Sequence, residues 1–458
     1  MIEKEKQLIL NGALTTVLWQ LAWPAVLAMV LYGLNSFLDG VFVGQLMNQD
    51  ALAGVGMAYP LSQITLGLGS LVGTGAGTVL SIWLGANEKA RLSQLLGTVN
   101  LLCLLLAVVV CLPLYGLAEP LVRALGARGA VLGYGTSYFR VTILGSFFWI
   151  HGLALNMMVR GEGKMKTAAW MIAVGLIVDV ALKPIFIQTF GWGVDGAAWA
   201  TNTGMLVYSL VGLWYFATGR ASFASDWKTL RLPKDLLGSI LKSGLPGMIL
   251  TLMTVIQSIV VLHAITHYGT DADLPFYTAC NRILLFLMTP MIGLMRALQP
   301  VVGMNYGAGR YDRVRRSYWL FTACGAGLIV PVWLFMTLFP LSTIHSILPG
   351  IAVSTQQLTD FRVYLAVLPF LPIVFMVLVT LPSIEKAKQT SLIALLRQVI
   401  FYLPVMLFFP RFFGVRAIYW GSTLIDVVVI LMTLGILLKS FKELRAGKDR
   451  VMVSEISS

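Results

Sequence analysis

The sequence predicts an all-α polytopic membrane protein: twelve transmembrane helices in two pseudo-symmetric six-helix lobes. Three observations carry this: an apolar composition, twelve long apolar segments, and an internal repeat. Of the 458 residues, 58% are hydrophobic and 12% charged, and mean hydropathy is +0.83. Soluble domains carry about 25% charged residues, so half that share places the chain in the membrane class.

A membrane helix needs about 20 mostly apolar residues. Spans one to six are expected at 14–46, 51–86, 94–118, 133–160, 165–189 and 194–219. Spans seven to twelve follow at 236–267, 275–308, 313–342, 356–384, 389–410 and 414–439. The first run is too long for a signal peptide and ends in no small-residue cleavage site, so it is read as a retained span.

The net charge is +13. The bases fall mainly in even-numbered connections, such as Lys89 with Arg91 and Arg310 with Arg313, Arg315 and Arg316. The positive-inside rule then places both termini in the cytoplasm of a cell bounded by this plasma (inner) membrane. It also accounts for the charge without nucleic acid. Cys103, Cys111, Cys280 and Cys324 sit in apolar runs with neither disulfide nor metal spacing, and read as small buried hydrophobes.

The longest basic connection, between spans six and seven, splits the chain near its middle. Pro24 matches Pro246, Gly85 matches Gly307, Ala86 matches Ala308 and Arg91 matches Arg313, each 222 residues on. "GEGKMKT" aligns with "IEKAKQT" at 223, placing Glu162 on Glu385, and "GVDGAAWAT" aligns with "GVRAIYWGS" at 221. The domains expected are an N-terminal lobe at 1–219, a linker at 220–235, a C-terminal lobe at 236–440 and a tail at 441–458. Parallel repeats of this kind are typical of transporters, with the cargo site between halves near the midplane.

Five stretches carry a family resemblance: "WPAVL…NSFLDGVFVGQL", "GLGSLVGTGAGTVLSIWLGA", "VRGEGKMKTAAW", "GVDGAAWAT" and "LQPVVGMNYGAGRYDRVRRS". In the last, Gln299, Pro300, Asn305, Tyr306, Gly307, Ala308 and Arg313 all fall in place. Through these the chain resembles the multidrug and toxic compound extrusion (MATE) transporters over nearly its full length. The resemblance implies two lobes around a V-shaped cavity. It also implies export of organic, cationic compounds by antiport against protons or sodium, with alternating access and no other cofactor.

Ionisable groups inside a membrane are costly, so each is a functional hypothesis. Asp39 in span one has Asn35 one turn before it on the same face, and the family's coupling acid matches Asp39. In span five, Asp179 and Lys183 share a face by their four-residue spacing. The family pattern there is asparagine then aspartate, and this chain departs at both positions. The resemblance would make this face line a cation site with Asp39 and Thr201. We read the Lys183 ammonium as a built-in substitute for a metal cation, which favours protons over sodium. A permanent intrahelical ion pair remains the alternative. Pro184 removes one helical hydrogen bond directly after this pair.

Tyr32 and Asn156 match pocket positions of the family, and Met29 suits a greasy cavity. Gln257 occupies the repeat position of Asn35, while Val261 stands where the repeat would place an acid, so coupling reads as N-terminal. Arg140, Arg296 and Arg362 can snorkel or meet an anionic substrate. Asp426 in span twelve and Arg282 in span eight are expected to be buried and to pair within or between helices. His263 and His267 share a face without an evident third metal ligand.

The partners expected are small organic substrates and the lipid bilayer, with the protein working as a monomer. Competing functions are a dedicated natural-product exporter and a lipid-linked-intermediate flippase, for which a basic central cavity would be needed. No nucleophile elbow, metal-binding motif or phosphate loop appears, so an enzyme is not expected. The glycines of "GLGSLVGTGAG" lie inside a span and read as close helix packing.

Overall fold

The computed structural model describes residues 4–224, 230–270, 273–346 and 353–456; for 35–37, 39–41, 43–44, 89 and 446–456 it describes backbone alone. Among the described residues the secondary structure is helical throughout, with no strand. Every segment expected to span the membrane is a helix. Spans one to three are Leu14–Leu46, Gln49–Ala86 and Ala90–Gly116. Span four is a pair of helices, Gly129–Leu144 and Ser146–Gly161, bent by 52°. Spans five and six are Met165–Thr189 and Gly193–Ala217. Spans seven to twelve are Lys234–Tyr268, Asp273–Gly307, Tyr311–Leu338, Thr355–Ser383, Ala387–Phe413 and Arg416–Arg445.

Among the described residues ten helices are long and apolar enough to cross a membrane, or eleven if the bent pair counts as one span. Span six is not among them. Its first half carries Asp195, Thr201, Asn202 and Thr203, which dilute its apolar character. The helix of span twelve also continues to Ile456, through the stretch expected as tail.

Local signals explain the boundaries. Asn48 caps span two by accepting from the Ala51 amide at 2.8 Å, and Asn87 closes the same helix with φ +60°. Gly309, one repeat on, closes span eight with φ +70°. Spans four and ten end alike, at Gly163 with φ +81° and Glu385 with φ +62°. The left-handed turns thus pair residue 163 with 385 at offset 222. The pairing of Glu162 with Glu385 expected from the sequence shifts by one.

The lobes meet along span two, which packs against spans seven and eight of the other half. Glycine permits this, because a Cβ at Gly244 would lie 1.7 Å from the Leu71 carbonyl oxygen. At Gly75 it would lie 2.1 Å from the Ile240 oxygen, and at Gly85 2.1 Å from the Met304 oxygen. Backbone-to-backbone approach is what small residues provide in membranes, where helix association relies on van der Waals contact. The glycine-rich run therefore serves packing, as its position inside a span suggested. Gln299 adds a bond across the seam, donating to the Thr78 hydroxyl at 2.8 Å. Cys103, Cys111 and Cys280 are buried and Cys324 is half-buried.

Candidate functional site

Span five positions the central pair. Asp179 is fully buried and Lys183 nearly so. The Lys183 ammonium donates to both carboxylate oxygens, each at 2.7 Å. Glycines bring span six against this face: a Cβ at Gly204 would lie 2.8 Å from the Asp179 Cβ. Directly after Lys183 comes Pro184, which has no N–H to donate, and residues Ile185–Thr189 form a π-helical turn. Such register slips relieve a missing helical bond and occur often at functional sites.

Lys183 and Thr201 line one cavity of about 250 Å³ within the N-terminal lobe, together with Tyr32, Tyr59, Tyr138 and Trp149. The structure thus places the expected Lys183 and Thr201 on one shared cavity. Asn35 and Asp39 lie on the span one helix, and their side chains fall outside the described residues.

A second cavity of about 130 Å³ adjoins the first, sharing Tyr32, Leu66, Trp149 and Met205 with it. Met29, Tyr208 and Ser70 line it from one half, and Thr251 and Arg296 from the other. It is therefore an interlobe space, where parallel-repeat transporters bind cargo. Its walls combine flat rings and thioethers with one guanidinium.

Other expected residues stand elsewhere. Asn156 is fully buried, donates to the Ala168 carbonyl at 2.8 Å and accepts from Arg160 Nε at 2.8 Å. It lines neither cavity and instead ties spans four and five together. Gln257 stands near Tyr402 in the C-terminal lobe. Val261 is buried. Arg140 stacks over Tyr115 at 5.8 Å, and Arg362 donates to the Thr337 carbonyl at 3.0 Å. His263 and His267 stack with ring centroids 6.0 Å apart, and no group of three metal-ligating side chains exists among the described residues.

Two residues escaped the sequence reading. Arg397 in span eleven, rather than Arg282, pairs with Asp426, its Nη2 2.8 Å and Nε 3.1 Å from the same oxygen. Arg160 was seen only as a loop base, yet its side chain is 1% exposed. Its position at the end of an apolar helix, four residues after Asn156, was the available signal.

The comparisons agree with this geometry. The MatE family model matches residues 24–185 and again 246–407, at the 222-residue offset of the repeat. The multidrug export protein MepA of Staphylococcus aureus (strain N315) is 24% identical over 408 residues, covering 87% of this chain and 88% of that one. The probable multidrug resistance protein YoeA of Bacillus subtilis (strain 168) is 26% identical over 324 residues, 68% of this chain and 70% of the relative. Among solved structures, a MATE crystal structure in the bent conformation superposes with a TM-score of 0.90 at 22% identity. It spans 97% of this chain and 99% of the other. A Pyrococcus furiosus transporter of the MOP superfamily, described as having a binding pocket of reverse polarity, superposes with 0.88 at 22% identity over 96% and 99%. The two matched halves, the two-lobe helical fold and the cavity between the lobes all point one way: the chain belongs to the MatE family of membrane transporters.

Proposed function

We propose that this protein is a secondary active exporter of organic compounds, driven by inward proton movement through the N-terminal lobe. The observation that carries the coupling is the buried Asp179–Lys183 pair, whose ammonium opens onto the cavity beside Thr201. Protonating Asp179 would release Lys183 to other partners, giving the lobe two charge arrangements. An antiporter needs such a bistable element. The ammonium stands where a metal cation would otherwise be needed, which favours protons over sodium. Asp39, on the neighbouring span, is the second candidate acid. Rocking of the two lobes would alternate access to the interlobe cavity.

Flat apolar cargo is supported by the rings of Tyr32, Trp149 and Tyr208, whose π faces also attract cations. The names of the relatives in S. aureus and B. subtilis support drug-like breadth. In this reading the protein works as a monomer in the plasma membrane with both termini cytoplasmic. A second reading, a flippase for lipid-linked anions, is favoured by the guanidinium of Arg296 in the cavity wall.

The test is efflux of a fluorescent organic dye from proteoliposomes under an imposed proton or sodium gradient, for wild type and Asp179→Asn. Proton-driven efflux that Asp179→Asn abolishes is the expected outcome. Efflux driven only by sodium, or untouched by the substitution, would refute coupling through this pair.

A further inference from the structure

Arg296 lines the interlobe cavity with Arg160 near it, and among the described residues neither has a counter-ion. Arg296, from the C-terminal half, lines the cavity directly and makes no hydrogen bond or ion pair to any described residue. Arg160 lies behind it, 1% exposed, bonded only through Nε to Asn156. Both its terminal nitrogens, Nη1 and Nη2, are buried with no partner among the described residues. The two guanidinium groups are close enough to repel each other, and both interact with Tyr208, itself a cavity wall. No described carboxylate is among the groups that influence either of them.

Asp179 is paired with Lys183 and is not among the groups that influence either arginine. Elsewhere this chain pairs arginines where an acid is available: the partly buried Arg397 with Asp426, and the exposed Arg416 with the buried Asp360. Buried charges are ordinarily paired, because an uncompensated one is strongly unfavourable. An arginine left open on a cargo cavity, backed by a second with two spare donors, is a fork waiting for an anion. Guanidinium groups match carboxylate and phosphate geometry through paired N–H bonds.

We infer that the interlobe cavity recognises an acidic group on its cargo, through Arg296 with Arg160 reinforcing its field. Preferred cargo is then an amphiphile with a flat apolar or cationic body and a carboxylate, rather than a plain lipophilic cation. The body lies on Tyr32, Trp149 and Tyr208, and the acid faces Arg296. This rests on the reading of the cavity as the cargo site and narrows its substrate class.

The experiment compares a xanthene dye bearing a free carboxylate, rhodamine B, with its own ethyl ester. Binding to the purified full-length protein in detergent is followed by fluorescence polarisation, with no gradient present. The wild type should bind the acid about tenfold tighter than the ester, the scale of one charge-assisted hydrogen bond. Arg296→Gln should bring that ratio to about one, and Arg296→Lys should restore part of it. Because no described residue is paired with Arg296, its removal should leave folding intact, which a thermal melt verifies. Equal or tighter ester binding by the wild type overturns the inference, as does a preference that survives Arg296→Gln. Since this readout is an equilibrium, failure of gradient-driven efflux would sink the antiport reading without touching it.

Discussion

The ammonium of Lys183 lies 2.7 Å from each carboxylate oxygen of Asp179, inside a helix whose next residue is a proline. Both side chains are buried, so each is the other's counter-charge in a place where neither could stand alone.

Removing one partner should therefore be costly. Lys183→Met, which takes the ammonium from the buried Asp179 carboxylate, is expected to lower stability by about 3–5 kcal/mol, the range for orphaning a buried charge. The double substitution Asp179→Asn, Lys183→Met should recover most of this loss while remaining deaf to an imposed gradient. Thermal unfolding in detergent and dye efflux give the two readouts. A Lys183→Met loss of less than about 1 kcal/mol would mean that water reaches the pair and that it behaves like a surface ion pair.

The glycine seam makes a sharper geometric prediction. Gly244→Ala would put a methyl 1.7 Å from the Leu71 carbonyl oxygen, which backbone cannot yield. The lobes must then part, with a large drop in melting temperature or in folded yield. Gly238 lies on the same helix, and a Cβ there meets nothing within 4 Å. Gly238→Ala should be neutral or stabilise by up to about 1 kcal/mol, as alanine does within a helix. If both variants behave alike, the seam is not as close as drawn.

Much of this was legible in the sequence because a membrane helix announces itself by composition and a duplicated chain by a constant offset. Pro24 with Pro246 and Gly85 with Gly307 fixed the halves, and Asp179 with Lys183 stood out as charges in an apolar run. What the sequence hid depends on contacts between helices. Nothing local says that Arg397 meets Asp426, 29 residues away on another helix, or that Arg160 turns inward beside Asn156. Asn156 shows the converse: its match to a pocket position was visible, whereas the bonds of its amide to the Ala168 carbonyl and Arg160 were not.

The C-terminal lobe has its own ion pair, but a different role is expected of it. Arg397 and Asp426 join spans eleven and twelve, and their side chains are 26% and 15% exposed. Tyr364 and Tyr402 stand beside them. Asp426→Asn should cost stability, by about 1–3 kcal/mol for a charged hydrogen bond lost at a half-buried site. It should leave the identity of the driving ion unchanged. A switch in ion dependence on Asp426→Asn would show that coupling is shared between the lobes, contrary to the asymmetry of Asp39 and Val261.

The last prediction concerns the short helix Lys4–Asn11 ahead of span one. Arg91 and Arg313 are repeat mates, yet they differ in use. Arg91 pairs with Glu88 on its own lobe, whereas Arg313 donates from Nε and Nη2 to the Ile9 carbonyl at 3.1 and 3.0 Å. Arg310 adds a bond to the Leu10 carbonyl at 2.6 Å. Two cations thus satisfy the free carbonyls at the end of that helix, where its dipole is negative. Ile9 is fully buried, and a Cβ at Gly163 of the other lobe would lie 2.6 Å from its Cδ1. The helix therefore touches both halves at once, held to the C-terminal one by arginine. Arg313→Gln should free it while leaving the spans folded, so trypsin should cut after Lys4 or Lys6 several-fold faster than in wild type. Each charged bond lost is worth about 1.5–3 kcal/mol, enough to change local opening by tenfold or more. An unchanged cleavage rate would mean that burial of Ile9, and not the arginine, holds the helix in place.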